Sequence, residues 1–285
     1  YKTHEQTPLF VSIDMEGGRV HRLKEPFTQW PPVQHLGNIE SSSVAFKFTQ
    51  LMGQELKAMG FNLDYAPCVD VLMNKDNKVI GDRALSTNPD IVAKLSSAMV
   101  RGYIKSDVVA CAKHFPGHGF TSVDSHFDLP VDQRTLKDLE ENGDLEPFKK
   151  VIKARIDMIM TAHIQYPNID PNNPVTLSPL FISQFLRTVL RFKGIIVTDD
   201  LDMKALTKHH PIDQIPVKAL QAGATMLLYC NEPQSPMKAV KSIAKALSEG
   251  ELDENVIKQN YKIITDIKKK KLKQPIEPFS LEKAQ

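Results

Sequence analysis

The feature that most constrains this chain is a repeated alternation of a short, unbroken apolar run with a longer stretch of helical spacing. Residues 8–14, 61–70, 108–115, 158–166, 194–199 and 225–230 predict six strands. Residues 41–59, 89–104, 136–154, 178–192, 212–222 and 237–247 predict the helices between and after them, with a closing helix over 254–267. Runs such as Ile195-Ile196-Val197 and Met226-Leu227-Leu228 do not alternate, as befits strands covered on both faces, so the sheet should be parallel. This rhythm serves both a doubly wound sheet and a TIM-like (β/α)8 barrel. No Gly-x-Gly-x-x-Gly turn follows the first strand, which disfavours the dinucleotide-binding version of the open sheet. No polar linker breaks the rhythm, so residues 1–285 are expected to form one α/β barrel domain.

Charge and cysteine usage narrow the function. The 36 basic and 34 acidic residues leave a net charge of +2, which gives no bulk reason to expect nucleic acid or an acidic surface as partner. The basic run at Lys268, Lys269, Lys270, Lys271 and Lys273 carries no interleaved aromatic residues, and it reads as a solvated helix end. Three scattered cysteines, Cys68, Cys111 and Cys230, make neither a disulfide framework nor a metal knuckle and point to a reducing compartment. No apolar run reaches the length of a membrane span. The chain is expected to be cytoplasmic and monomeric.

In a barrel, reactive side chains gather at the C-terminal ends of the strands. Asp14, Asp70, Lys113 with His114, His163, and Asp199 with Asp200 all fall there by this reading. The densest stretch is Lys113-His114-Phe115-Pro116-Gly117-His118-Gly119, followed by Asp124-Ser125-His126. Pro116 and the two glycines make an irregular loop. Asp124 can fix the tautomer of His126 and favour its protonated form, which makes the pair an acid/base candidate. His114 and His118 could instead ligate a metal, but Pro116 and Gly117 break the helix that usually sets such a pair on one face. His118 reads equally well as a hydrogen-bonded structural histidine.

Ile195 to Asp200 is an apolar strand ending in two acids. Successive strand side chains face opposite ways, so only one of them should enter the site. A carboxylate there, near a proton donor, is what a retaining glycosidase needs. Asp14-Met15-Glu16-Gly17-Gly18-Arg19-Val20-His21-Arg22 and Gly81-Asp82-Arg83 supply acids and arginines that can grip sugar hydroxyls.

Together these segments resemble glycoside hydrolase family 3, and within it the single-domain β-N-acetylglucosaminidases of the NagZ type. The Asp14–Arg22 segment, the Lys113–Gly119 signature and Thr198-Asp199-Asp200-Leu201-x-Met203 carry the resemblance, which spans most of residues 8–270. It implies Asp199 as the nucleophile, His126 as acid/base paired to Asp124, and Asp14, Arg22, Arg83, Lys113 and His114 as ligands of the terminal sugar. It implies no metal and no organic cofactor. The expected substrate is a small N-acetylglucosamine-containing glycan, such as a peptidoglycan fragment. The family barrel has about two βα units before the strand at residues 8–14, so the chain is expected to lack its first βα units. The other readings are a β-glucosidase or glycoside phosphorylase of the same family, a non-catalytic glycan-binding barrel and a metal-dependent hydrolase.

Overall fold

The computed structural model describes residues 8–125 and 127–272. Among these, six strands pair in chain order: β1 (Ser12–Ile13), β2 (Leu63–Asp64), β3 (Val109–Phe115), β4 (Met158–Thr161), β5 (Ile195–Asp200) and β6 (Met226–Leu228). Every neighbouring pair is parallel, with registers such as Ser12↔Leu63, Leu63↔Val109, Met158↔Ile195 and Val197↔Met226. A doubly wound sheet reverses its strand order at a switch point, and this one never does. The fold is therefore a parallel α/β sheet with the strand order of a TIM-like barrel wall. The ladder runs from β1 to β6 without a pairing between those two strands among the described residues.

Local sequence explains the helices. These are α1 (Gln34–Ile39), α2 (Ser42–Ala58), α3 (Pro89–Lys105), α4 (Leu136–Glu141), α5 (Glu146–Lys153), α6 (Lys204–Thr207), α7 (Ile215–Ala222), α8 (Ser235–Ser248) and α9 (Glu254–Lys271). Asn88 caps α3 by accepting from the amides of Asp90 and Ile91, with Pro89 at the first helical position. Thr135 and Asp138 form a reciprocal capping box on α4. Gly223, at φ +109°, ends α7 in the left-handed conformation.

The helix expected over 136–154 is two helices. Gly143 takes φ +84° between α4 and α5, and Asp144 turns inward to meet Arg134 Nη1 at 2.8 Å. The segment Leu180–Val189, within the helix expected over 178–192, is wound in π form. The first two strands are also shorter than expected, two paired residues each.

The sheet buries both faces, which accounts for its unbroken apolar strands. Alternate residues Ala110, Ala112, Ile159 and Ile196 join the core beneath the helices, with Met52 and Leu56 of α2, Leu95 and Met99 of α3, and Phe148 of α5. The residues between them, Leu63, Val109, Cys111, Met158, Met160, Ile195 and Val197, line the opposite face. There Phe10 and the isoleucines Ile263, Ile264 and Ile267 of α9 pack against them. This division is the strand alternation of side chains made into two cores.

Candidate active site

The C-terminal strand ends are joined by charged side chains. Asp14, just past β1, places Oδ1 2.5 Å from Lys113 Nζ on β3, and its Oδ2 lies 3.3 Å from Arg22 Nη2. Lys113 Nζ also lies 2.7 Å from Glu16 Oε1. The two oxygens of Glu16 receive Arg83 in a fork, Nε at 2.9 Å and Nη2 at 2.8 Å. Burial alone would raise the Glu16 pKa, but the ammonium and the guanidinium hold it well below the usual carboxylate range. Burial opposes the charge of Lys113 too, and Asp14 and Glu16 overcome it, so its pKa rises above the ordinary lysine value. Arg19 ties the two segments together, its Nε 3.0 Å from Asp82 and its Nη2 2.6 Å from the Val79 carbonyl.

Lys113 and His114 are adjacent on a strand, yet both reach this group: Arg83 Nη2 is 3.5 Å from His114 Nε2. The β3–β4 register slips between Ala112 and Phe115. A bulge of this kind re-aims side chains that regular alternation would send to opposite faces.

Asp70, fully buried beyond β2, organises the loop behind His114. It accepts from His114 Nδ1 at 2.7 Å, from the His118 amide at 2.7 Å, from the His114 amide at 3.2 Å and from Cys68 Sγ at 3.3 Å. Burial pushes its pKa up, but the His114 and His118 interactions prevail and bring it down to about 2. Cys68, Asp70 and His114 hold donor atoms within 4.8 Å of one another, the spacing of a metal site. Here the cluster's protons are shared among its own members. His118 is a structural histidine: Thr121 Oγ1 lies 2.8 Å from its Nδ1, Ser125 Oγ lies 3.3 Å from its Nε2, and burial lowers its pKa to about 4.

The two acids ending β5 face different surroundings. Asp200 accepts from the amides of Asp202 at 3.0 Å and Cys230 at 3.2 Å, and from the side chain of Asn231. It is a brace between β5 and the end of β6. Asp199 faces the charged cluster. Burial would raise its pKa, but the imidazoles of His163 and His114, the Asp200 amide and the Lys113 ammonium bring it below the ordinary value. Burial lowers the pKa of His163 itself below the ordinary imidazole value. The Asp200 N–H donates to Asp199 Oδ1 at 2.8 Å. His163 Nε2 donates to the Asp200 carbonyl at 3.0 Å and so fixes the backbone that presents Asp199.

The structure thus brings Asp14, Arg22, Arg83, Lys113 and His114 into one network, with Asp199 within its field. Asp124 lies in the loop after Gly119, and His126 lies outside the described residues. That loop is docked beside the segment that follows β5. The Ser125 carbonyl accepts from the Ala205 amide at 3.2 Å, and Asp128 meets His209 Nε2 at 2.7 Å and Lys208 Nζ at 3.4 Å. Sequence reasoning gave no role to Glu16, although an acid beside two glycines and an arginine was the available signal. Asp70 and His163 were placed at strand ends without a task.

The chain matches the Glycosyl hydrolase family 3 N terminal domain over residues 1–267. A β-hexosaminidase of Nitrosomonas eutropha is 39% identical over 242 residues, covering 83% of this chain and 69% of the relative. One of Idiomarina loihiensis is 40% identical over 229 residues, covering 79% and 68%. A solved glycoside hydrolase family 3 β-N-acetylglucosaminidase from a Paenibacillus species superposes with a TM-score of 0.91 at 34% identity, covering 94% of this chain and 51% of that one. The chain therefore spans about two thirds of these curated relatives and about half of the solved enzyme. On these matches the chain belongs to glycosyl hydrolase family 3, in its N-terminal domain.

Proposed function

We propose that this protein is a retaining exo-β-N-acetylglucosaminidase that removes terminal N-acetylglucosamine from small glycans. Asp199 attacks the anomeric carbon and forms a glycosyl ester. His126, paired with Asp124 on the loop, protonates the leaving oxygen and then deprotonates the incoming water. Asp14, Arg22, Arg83, Lys113 and His114 hold the sugar by its hydroxyls. The observation that carries this reading is the contrast at the end of β5, where Asp200 is consumed by structural donors while Asp199 is kept ionised and facing the charged cluster. A nucleophile must be ionised and uncommitted, and Asp199 is the acid that fits. The relatives named for hexosaminidase activity support the choice of sugar.

The finer proposals follow the same resemblance: peptidoglycan fragments as substrate, a cytoplasmic recycling role, a monomer, and the six strands as part of an eight-stranded barrel. No described helix is long and apolar enough to cross a membrane. Asp199→Asn should lower turnover of an aryl N-acetylglucosaminide by roughly three orders of magnitude or more with the fold retained, as loss of a covalent nucleophile requires. The same assay run with matched glucosides, with and without phosphate, separates the hexosaminidase from a glucosidase or a phosphorylase. Near-normal turnover by the variant removes Asp199 from the mechanism.

A further inference from the structure

Asp70 lies behind the charged cluster and touches one of its members, His114. Its carboxylate has four donors: the amides of His114 and His118, the His114 ring and the Cys68 thiol. A carboxylate that is ionised at any ordinary pH has no proton to give. The proton of the 2.7 Å contact therefore belongs to His114 Nδ1. In the neutral ring this leaves Nε2 as an acceptor, touched by Arg83 Nη2 only at the long distance of 3.5 Å.

Arg83 can only donate, and Glu16 clamps it in place through two contacts. An obligate acceptor and an obligate donor thus sit side by side in rigid orientation. A hydroxyl fits such a pair, because it can accept from the guanidinium while donating to the imidazole. A fluorine or ether oxygen accepts only and leaves Nε2 without its proton.

We propose that Asp70 is a positioning residue that fixes His114 as a hydrogen-bond acceptor, so that His114 and Arg83 together read one sugar hydroxyl. This rests on the glycosidase reading above, and it adds the polarity of the contact and the residue that sets it. Replacing Asp70 by Asn puts an amide donor or a weaker acceptor in the node. Where the amide donates to Nδ1, the neutral ring moves its proton to Nε2, and two donors then face the substrate.

The test compares wild type and Asp70→Asn on an aryl N-acetylglucosaminide and on its 3-, 4- and 6-deoxyfluoro analogues. Wild type should lose on the order of 10- to 100-fold in kcat/KM at one ring position, the scale of a site that leaves a buried polar atom unpaired. Asp70→Asn should lose on the order of 10-fold or more on the parent substrate and most of that positional discrimination. Imidazole 15N spectra of the wild-type protein, recorded at alkaline pH, should show the His114 ring protonated at Nδ1 and not at Nε2. An unchanged discrimination ratio in the variant, or a neutral wild-type His114 protonated at Nε2, overturns the proposal. The spectra need neither turnover nor a folded variant. A wild-type protein that cleaves no glycoside therefore counts against the glycosidase reading and leaves the tautomer measurement standing.

Discussion

At the scale of single residues, the buried acids are told apart by who donates to them. Asp200 receives two amides and an Asn side chain from its own turn and the end of β6, so its removal should be felt in stability. Asp200→Asn should cost about 1–3 kcal/mol, the scale of buried groups left without partners, read as a fall in the thermal midpoint of the wild-type unfolding curve. Asp70 and Glu16 predict acid sensitivity. The Asp70 carboxyl drops from 3.8 in its ordinary setting to about 2 in the fold, and Glu16 also falls. A depressed acid stabilises the fold above its unfolded pKa and loses that contribution as the pH falls through its folded one. In denaturant titrations the stability difference between wild type and Asp70→Asn should therefore stay level down to about pH 5 and shrink between about pH 4 and 2, with Asp70 accounting for roughly 2 kcal/mol. A flat profile through that window would contradict the assignment. Strand alternation alone showed that Asp199 and Asp200 could not share a role. The partners of Glu16 and Asp70 were not legible, since Arg83 lies 67 residues from one and His114 lies 44 from the other. No local pattern encodes such pairings.

Elements meet where side chains permit it, and α2 and α3 do so at glycine. A Cβ on Gly102 would stand 2.1 Å from Thr49 Oγ1 and 2.4 Å from the Phe46 carbonyl, both on α2. Gly53 faces Ser106, just past the end of α3, in the same way, at 2.1 Å from Oγ. Thr49 Oγ1 uses this closeness to donate to the Met99 carbonyl at 2.8 Å. Gly102→Ala should separate the helices and destabilise the protein by about 1–3 kcal/mol, the usual cost of overpacking, measured by chemical denaturation; a neutral effect would mean that the helices part freely. The six strands were legible because unbroken apolar runs have few other uses in a parallel sheet. The break between α4 and α5 was harder to see. Its cause is the inward turn of Asp144 toward Arg134, which also meets Asp132 at 2.7 Å, and only the assembled structure supplies that partner. The π winding of Leu180–Val189 likewise leaves no mark on an apolar pattern that an α-helix would satisfy.

Across the whole molecule, the sheet divides two cores and leaves its chemistry at one end. Cys68 and Cys111 are buried, while Cys230 is exposed just beyond β6. A thiol reagent should modify native protein at Cys230 alone, and slowly, because partial burial and then Asp200 and Asp199 push that thiol up to about 11. The other two cysteines should react only on unfolding, and prompt labelling of either by mass spectrometry would show that the core opens in the native state. The lacing of the strand ends also has a consequence in time. Asp14 meets a lysine on β3, Asp70 meets a histidine on β3, and Asp200 meets residues past β6. During synthesis, the first acid waits while a long stretch of chain emerges before its lysine can arrive. A ribosome-bound nascent chain halted before the end of β6 can already join Asp14 to Lys113 and Asp70 to His114, but it leaves Asp200 without Cys230 and Asn231, so the brace beside Asp199 closes last and catalytic competence should arrive late.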